Sequence, residues 1–402
     1  MHRPGQRVPV AVALNLLLSG LIMGGPNIQS SLVEARGLSW GDVERIYDEA
    51  FTILTVGILV VTVVGLPVRL VALAGLATEL TGLLIMSAGR SVTSLSAGYG
   101  LVGLGGTALY MATLQMGSES KSSLVMSTLS ASYNMSSYFT YFARLKPVSL
   151  DAFLLAEALL ALLAMPIAWH LFAPSPASGG AGASRPLRWA AGFREPRYWA
   201  FCVAFGLCAS NLTWCIGAYN GTVASSIAST ATGVWLTYLF PVVSNASFLV
   251  SPFLGYWVDR FGHFLPAMLQ IGAGQLLVAA LVWPSAFALA AGLPLGTLAS
   301  SSVYALQVSY LLTFPAEEFQ PLLCGTFLVQ VVSLAVLDLG PKQGAQAGER
   351  WLLILVAGYL WPLCDGLHRR RLALQEDALV VSGCPGGLAE STSPRNVARA
   401  SA

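Results

Sequence analysis

Charge is what this 402-residue chain has least of: Asp, Glu, Lys and Arg make up 10% of it, against about a quarter in soluble globular chains. So few charges cannot give a domain of this size a solvated surface, which excludes an ordinary soluble protein. The formal net charge of +2 offers no basic face to a nucleic acid. Histidine is scarce as well. His2, His170, His263 and His368 sit near the ends of apolar runs or at a terminus. The six cysteines, Cys202, Cys208, Cys215, Cys324, Cys364 and Cys384, lie mostly inside apolar runs and show neither a paired framework nor metal spacing. With no Ser/His, Cys/His or metal-spaced cluster, the chain is not expected to be an enzyme or to hold a cofactor or metal. A cleavable signal peptide is not expected either, because the first apolar run, from Val8, is long and lacks a cleavage-like flank.

Hydrophobic length is abundant instead. The apolar fraction is 55% and the mean hydropathy +0.68. Repeated apolar runs of about 20 residues are the length that crosses a bilayer. Read against their punctuation, the runs predict twelve spans near 9–32, 50–67, 70–88, 95–116, 122–144, 150–172, 199–219, 233–257, 264–283, 286–313, 322–340 and 350–367. This is an all-α integral membrane protein, with six helices in 1–172 and six in 199–368. A Ser/Gly/Ala-rich segment bearing Arg185, Arg188, Arg194 and Arg197 reads as a flexible cytoplasmic linker over 173–198. The tail, 369–402, reads as disordered and cytoplasmic. Placing both termini inside puts Arg3, Arg7, Arg69, Lys121, the four linker arginines, Arg260, Arg369, Arg370, Arg371, Arg395 and Arg399 on the cytoplasmic side. That is fourteen of the 21 Lys and Arg residues, as the positive-inside rule requires. The Arg144/Lys146 pair runs against it. Asn220-Gly-Thr222 would face outside but lies too close to a span for glycosylation.

Between the eighth and ninth runs stands Leu254-Gly255-Tyr-Trp-Val-Asp259-Arg260-Phe-Gly262-His263-Phe-Leu265. Two glycines bracket an acid–base pair, which predicts a tight polar hairpin at the inner face. The stretch resembles the G-x-x-x-D-R-x-G loop of the major facilitator superfamily, whose two six-helix halves are themselves repeats. Asp259 can face the positive end of a neighbouring helix, and Arg260 can pair with Glu317 and Glu318 at the start of span eleven. Gly255, Asp259, Arg260, Gly262, His263, Glu317 and Glu318 are the expected gate. The equivalent first-half loop, between spans two and three, is missing. Gly65-Leu-Pro-Val-Arg69 carries one charge and no Asp-Arg-x-Gly.

Further stretches narrow the likeness. Asn15-Leu-Leu-Leu-Ser-Gly20, Gly103-Leu-Gly-Gly106-Thr-Ala-Leu-Tyr110-Met-Ala-Thr113, Ser130-Ala-Ser-Tyr133-Asn134, Cys215-Ile-Gly-Ala and Phe314-Pro-Ala-Glu317-Glu318-Phe319 resemble solute carrier family 43. That branch implies sodium-independent transport of large neutral amino acids, with a nucleobase-transporting relative. The resemblance also implies that spans one, four, seven and ten line a central chamber.

Polar residues on those spans are the expected substrate contacts. Ser300, Tyr304 and Gln307 fall at i, i+4 and i+7 on span ten, and Gly106, Tyr110 and Thr113 repeat that spacing on span four. Asn211 lies near mid-depth in span seven, and Tyr133 and Asn134 in span five. Such groups point inward, to a ligand or to each other, because hydrocarbon leaves them unpaired. The only ionisable residues deep in spans are Glu79 and Glu157, on the third and sixth. Without one at mid-depth in spans one, four, seven and ten, facilitative uniport of a neutral small molecule is expected, by alternating access and as a monomer in a lipid bilayer. The plasma membrane is the expected location. A nucleobase facilitator and a non-transporting membrane sensor or scaffold are the competing readings.

Overall fold

The computed structural model describes residues 4–39, 41–43, 45–47, 49–50, 53–54, 57, 66–144, 149–173, 191–227, 229–315 and 318–338. Every regular element among them is helical. Hydrocarbon dictates this, since only a helix or a closed barrel satisfies its own backbone there. Ser91, Ser122, Ser149, Thr230 and Ser285 each accept an N–H from three residues on, so spans four, five, six, eight and ten begin on side-chain caps. Four described helices are long and apolar enough to cross a membrane unaided: Val68–Ala88, Leu150–Leu171, Phe264–Val282 and Ala286–Leu311. They are spans three, six, nine and ten. Most of span two, all of span twelve, residues 174–190 and the 369–402 tail lie outside the described residues, as do Cys364 and Cys384.

The remaining spans depart from simple rods. Span one runs from Pro4 to Arg36 but not as one helix. A π turn at Asn15–Ser19 and a 3-10 turn at Leu21–Gly24 interrupt it. Span five is α-helical over Ser123–Ser136 and tightens to 3-10 over Ser137–Arg144. Span seven, Pro196–Ile227, is longer than the expected 199–219 and takes the Asn220 sequon into its helix. Span eight is two helices, Ala231–Asn245 and Ser247–Phe261, joined at Ala246. Span four is Val92–Ser118 and span eleven Phe319–Asp338.

Span three packs on four and six, span seven on eleven, and nine on ten, while span five meets both eight and ten across the two halves. The linker reading needs one correction. Residues 191–194 form a docked 3-10 turn, in which the Gly192 N–H donates to a Glu318 carboxylate oxygen at 2.8 Å. Phe193 also meets Tyr198 edge-on at 5.4 Å. The end of the linker is therefore fastened to span eleven.

Where the C-terminal end of span three meets the start of span six, the Arg36 side chain is only 2% exposed. It donates to the carbonyls of Met86 (3.3 Å) and Ser87 (3.1 Å), at the end of span three, and to the Asp151 carboxylate, at the start of span six. A cation fits there because those last carbonyls are a helix's negative pole. Arg36→Ala is expected to cost about 1.5–3 kcal/mol, the range for hydrogen bonds to a charged group. Arg36→Lys is expected to recover only part of that, since an ammonium cannot fork. Thermal unfolding of the purified protein reads both, and an unchanged midpoint for Arg36→Ala would contradict the role.

Candidate functional site

Contacts between the halves include the Gly255–His263 stretch and, further along span five, Tyr138, whose hydroxyl donates to the Val242 carbonyl and whose ring stands edge-on to Phe248 at 5.7 Å. The first of these is built on one end of span eight. Asp259 and Arg260 occupy the last turn of a helix rather than the apex of a polar hairpin. The turn itself is Gly262, at φ 81°, followed by His263. A left-handed φ of this kind is where glycine has no steric cost, so the second glycine is placed by backbone geometry. Asp259 reaches across to the first half. Its carboxylate accepts from the Ser122 hydroxyl (3.1 Å) and from the backbone N–H groups of Ser123 (2.9 Å) and Leu124 (3.0 Å). These are the free amides that open span five, so an anion from span eight caps a helix of the other half.

Gly255 makes the approach possible. A Cβ there would lie 2.6 Å from the Ser123 carbonyl oxygen and 2.5 Å from Ser127 Oγ. His263 is buried beneath the turn, edge-on to the Tyr310 ring at 5.5 Å.

The expected Arg260 partnership is corrected. Arg260 donates to the Tyr256 hydroxyl at 3.2 Å, one turn back on its own helix. Glu318 is already engaged by Gly192, and Glu317 lies outside the described residues. The contact between the halves here is an anion on a helix terminus, with no Arg260–Glu318 ion pair. In the first half, where the twin loop is missing, Arg69 stacks over the Trp169 ring at 3.1 Å from its centroid. That contact joins spans three and six and does not cross between halves.

At mid-depth Tyr110 and Tyr133 stack with ring centroids 4.3 Å apart, spans four and five supplying one each. Tyr304 of span ten lies within electrostatic reach of both hydroxyls and meets Phe205 of span seven at 6.4 Å. Spans four, five, seven and ten thus converge on an aromatic centre carrying phenol groups. Tyr133 is also 3.5 Å, hydroxyl to hydroxyl, from Thr107.

The other expected contacts disperse. Thr113 is bound to Asn15, whose amide donates to it at 2.9 Å and to the Leu129 carbonyl at 3.3 Å. The Ser19 hydroxyl donates back to Asn15 at 2.9 Å. Asn15 thereby ties spans one, four and five where span one turns π-helical, a role that its polarity in an apolar run could have signalled. Gly106 is pressed on the Ser19 carbonyl, and a Cβ would collide with that oxygen. Gln307 turns to span eleven and donates to Thr326 at 2.7 Å. Ser300 bonds its own helix at Thr297. Asn211 is buried against spans nine and ten in a small crevice with Gln270 and Val303. Asn134 is half-buried, and its carbonyl accepts from the Ser137 hydroxyl. The i, i+4, i+7 faces are real on the helices but serve packing as much as the centre.

No protein-family model matches the chain, and no curated protein matches it in sequence. Solved structures do match in shape. The human organic anion transporter MFSD10 (TETRAN) superposes with a TM-score of 0.66 at 15% identity, over 90% of this chain and 100% of that one. A bacterial homologue of the iron transporter ferroportin, in an outward-facing state, gives 0.63 at 13% identity, over 91% and 100%. The major facilitator superfamily proton:xylose symporter XylE gives 0.59 at 11% identity, over 89% and 94%. The chain has the major facilitator fold: an all-α, multi-pass membrane protein of two six-helix halves.

Proposed function

We propose that this protein moves a small neutral solute across its membrane by alternating access, with large neutral amino acids as the substrate class. The observation that carries the reading is the Asp259 cap, a breakable lock between the two halves. Three hydrogen bonds on one carboxylate give one rocker state a contact that the other lacks. At the centre, phenol groups and aromatic faces suit an uncharged or zwitterionic ligand with an apolar side chain. The described parts of spans one, four, seven and ten hold no Asp, Glu, His, Lys or Arg at mid-depth, which supports facilitated movement down a gradient. The neighbours in shape carry an organic anion, iron and xylose by their names, so the fold itself selects no solute.

Uptake of labelled leucine into liposomes, competed by leucine, phenylalanine, arginine and adenine, tests the reading. Competition by leucine and phenylalanine but not arginine is the expected pattern. Adenine competition alone would replace amino acids by nucleobases. No uptake of either labelled leucine or labelled adenine would favour a sensor or scaffold.

A further inference from the structure

Two acids are buried in the first half, away from the tyrosine centre, and the transport reading uses neither. Glu79, in span three, is wholly buried, and neither carboxyl oxygen has a hydrogen-bond partner among the described residues. Glu157, in span six, is 4% exposed, with Oε2 likewise unpartnered. Spans three and six pack together. Counted along each helix at 1.5 Å per residue, Glu79 stands nine residues from the outer end of its span and Glu157 seven from its own. Both are therefore about 10–14 Å below the outer rim, at similar depth, and Glu157 lies within electrostatic reach of Glu79.

We infer that Glu79 and Glu157 form a proton-binding site in the support layer of the first half, and that its occupancy sets the rate of transport. An ionised carboxylate without a cation or donor is costly in this environment, so the packed conformation holds Glu79 in its neutral, protonated form. Among the described residues, the groups facing it supply no positive charge. From span six comes Glu157, and from span five, at longer range, the Tyr133 phenol. Span four presents Gly105, where a Cβ would stand 2.5 Å from the Glu79 backbone nitrogen and 2.7 Å from its Cβ. The titratable side chains of span four, Tyr99 and Tyr110, are engaged with the Ile22 carbonyl and the Tyr133 ring. The nearest charges on these helices, Arg69, Arg90 and Asp151, stand at span ends, two of them held by Trp169 and Arg36. Loss of the proton needs water, and water enters only if spans three, four and six loosen. Proton binding and tight packing of this half are linked, and alkaline pH must favour the loosened state.

The rate readout rests on the transport reading; a second readout does not. Leucine counterflow is measured in proteoliposomes of the full chain with equal pH on both sides, stepped from acid to alkaline. The wild-type rate is expected to fall at least about tenfold with rising pH, the span of one titration unit. Glu79→Gln, which mimics the neutral acid, is expected to stay flat at the acid-limb rate. Glu157→Gln removes a neighbouring negative charge and is expected to move the fall to lower pH. A flat wild-type profile, or identical falling profiles in wild type and Glu79→Gln, would overturn the site. Infrared difference spectra of wild type against Glu79→Gln, without solute, should show a protonated carboxyl band at neutral pH that fades on alkalinisation. Absence of that band refutes the site whatever the protein carries. A band with no leucine counterflow refutes only the choice of solute.

Discussion

Asp259→Ala is expected to reduce leucine uptake about tenfold while leaving the amount of folded protein nearly unchanged. The carboxylate accepts from the Ser122 hydroxyl and from the N–H groups of Ser123 and Leu124, and nothing else described occupies those amides. A lost N-terminal cap costs about 1–2 kcal/mol, and 1.4 kcal/mol is a tenfold change in an equilibrium. The residue is exposed in the last turn of its helix, so the loss falls on the balance between the proposed transport states and little on folding. Asp259→Asn separates capping from charge. Asparagine caps nearly as well as aspartate, so most uptake should survive if the hydrogen bonds matter. Equal loss in both variants would assign the role to net charge. Full uptake in Asp259→Ala would remove the lock from the mechanism.

Gly106→Leu should act in the opposite way, by abolishing folded protein. For Gly106 as one of the expected substrate contacts, lost uptake at normal abundance would be the signature. The structure corrects this. A Cβ at Gly106 would strike the Ser19 carbonyl, and the Ser19 carbonyl carbon stands only 2.9 Å from it. Backbone is in the way, so no rotamer change relieves the clash. Overpacking costs about 1–3 kcal/mol where side chains can yield, and more where they cannot. A loss of about tenfold or more in monodisperse protein is the expected result, by size-exclusion chromatography of detergent extracts, with Gly106→Ala between the two. Normal abundance without uptake would return Gly106 to the substrate site.

Which parts were legible in the sequence follows from what sequence records. The Gly255–His263 stretch stood out because glycine and charge interrupt apolar runs, and its place between spans eight and nine held. Its helical content did not show, since Asp259 and Arg260 can end a helix or make a turn with the same letters. The partner of Asp259 was out of reach entirely: the amides of Ser123 and Leu124 belong to backbone, and every residue has them. The break in span one was hidden for a similar reason, because π, 3-10 and α turns bury the same apolar side chains. Periodicity placed Ser300, Tyr304 and Gln307 on one face. It could not say that Gln307 would meet Thr326 on span eleven while Tyr304 met Phe205 on span seven. Helical spacing reports which residues share a side, and tertiary packing decides what that side touches.

The proposed transport cycle needs a face that is closed through Asp259 and opens in each turnover. Ser127, wholly buried one turn into span five and against Gly255, reports on that face. The decisive measurement is the rate at which a membrane-impermeant thiol reagent, trapped on the inner side of proteoliposomes, labels Ser127→Cys in a background without the six native cysteines. Slow labelling is predicted at rest, faster labelling during leucine counterflow, and fast labelling irrespective of leucine once Asp259→Ala is added. Labelling that is equally fast with and without Asp259, or indifferent to leucine in the chain that retains it, would contradict the account.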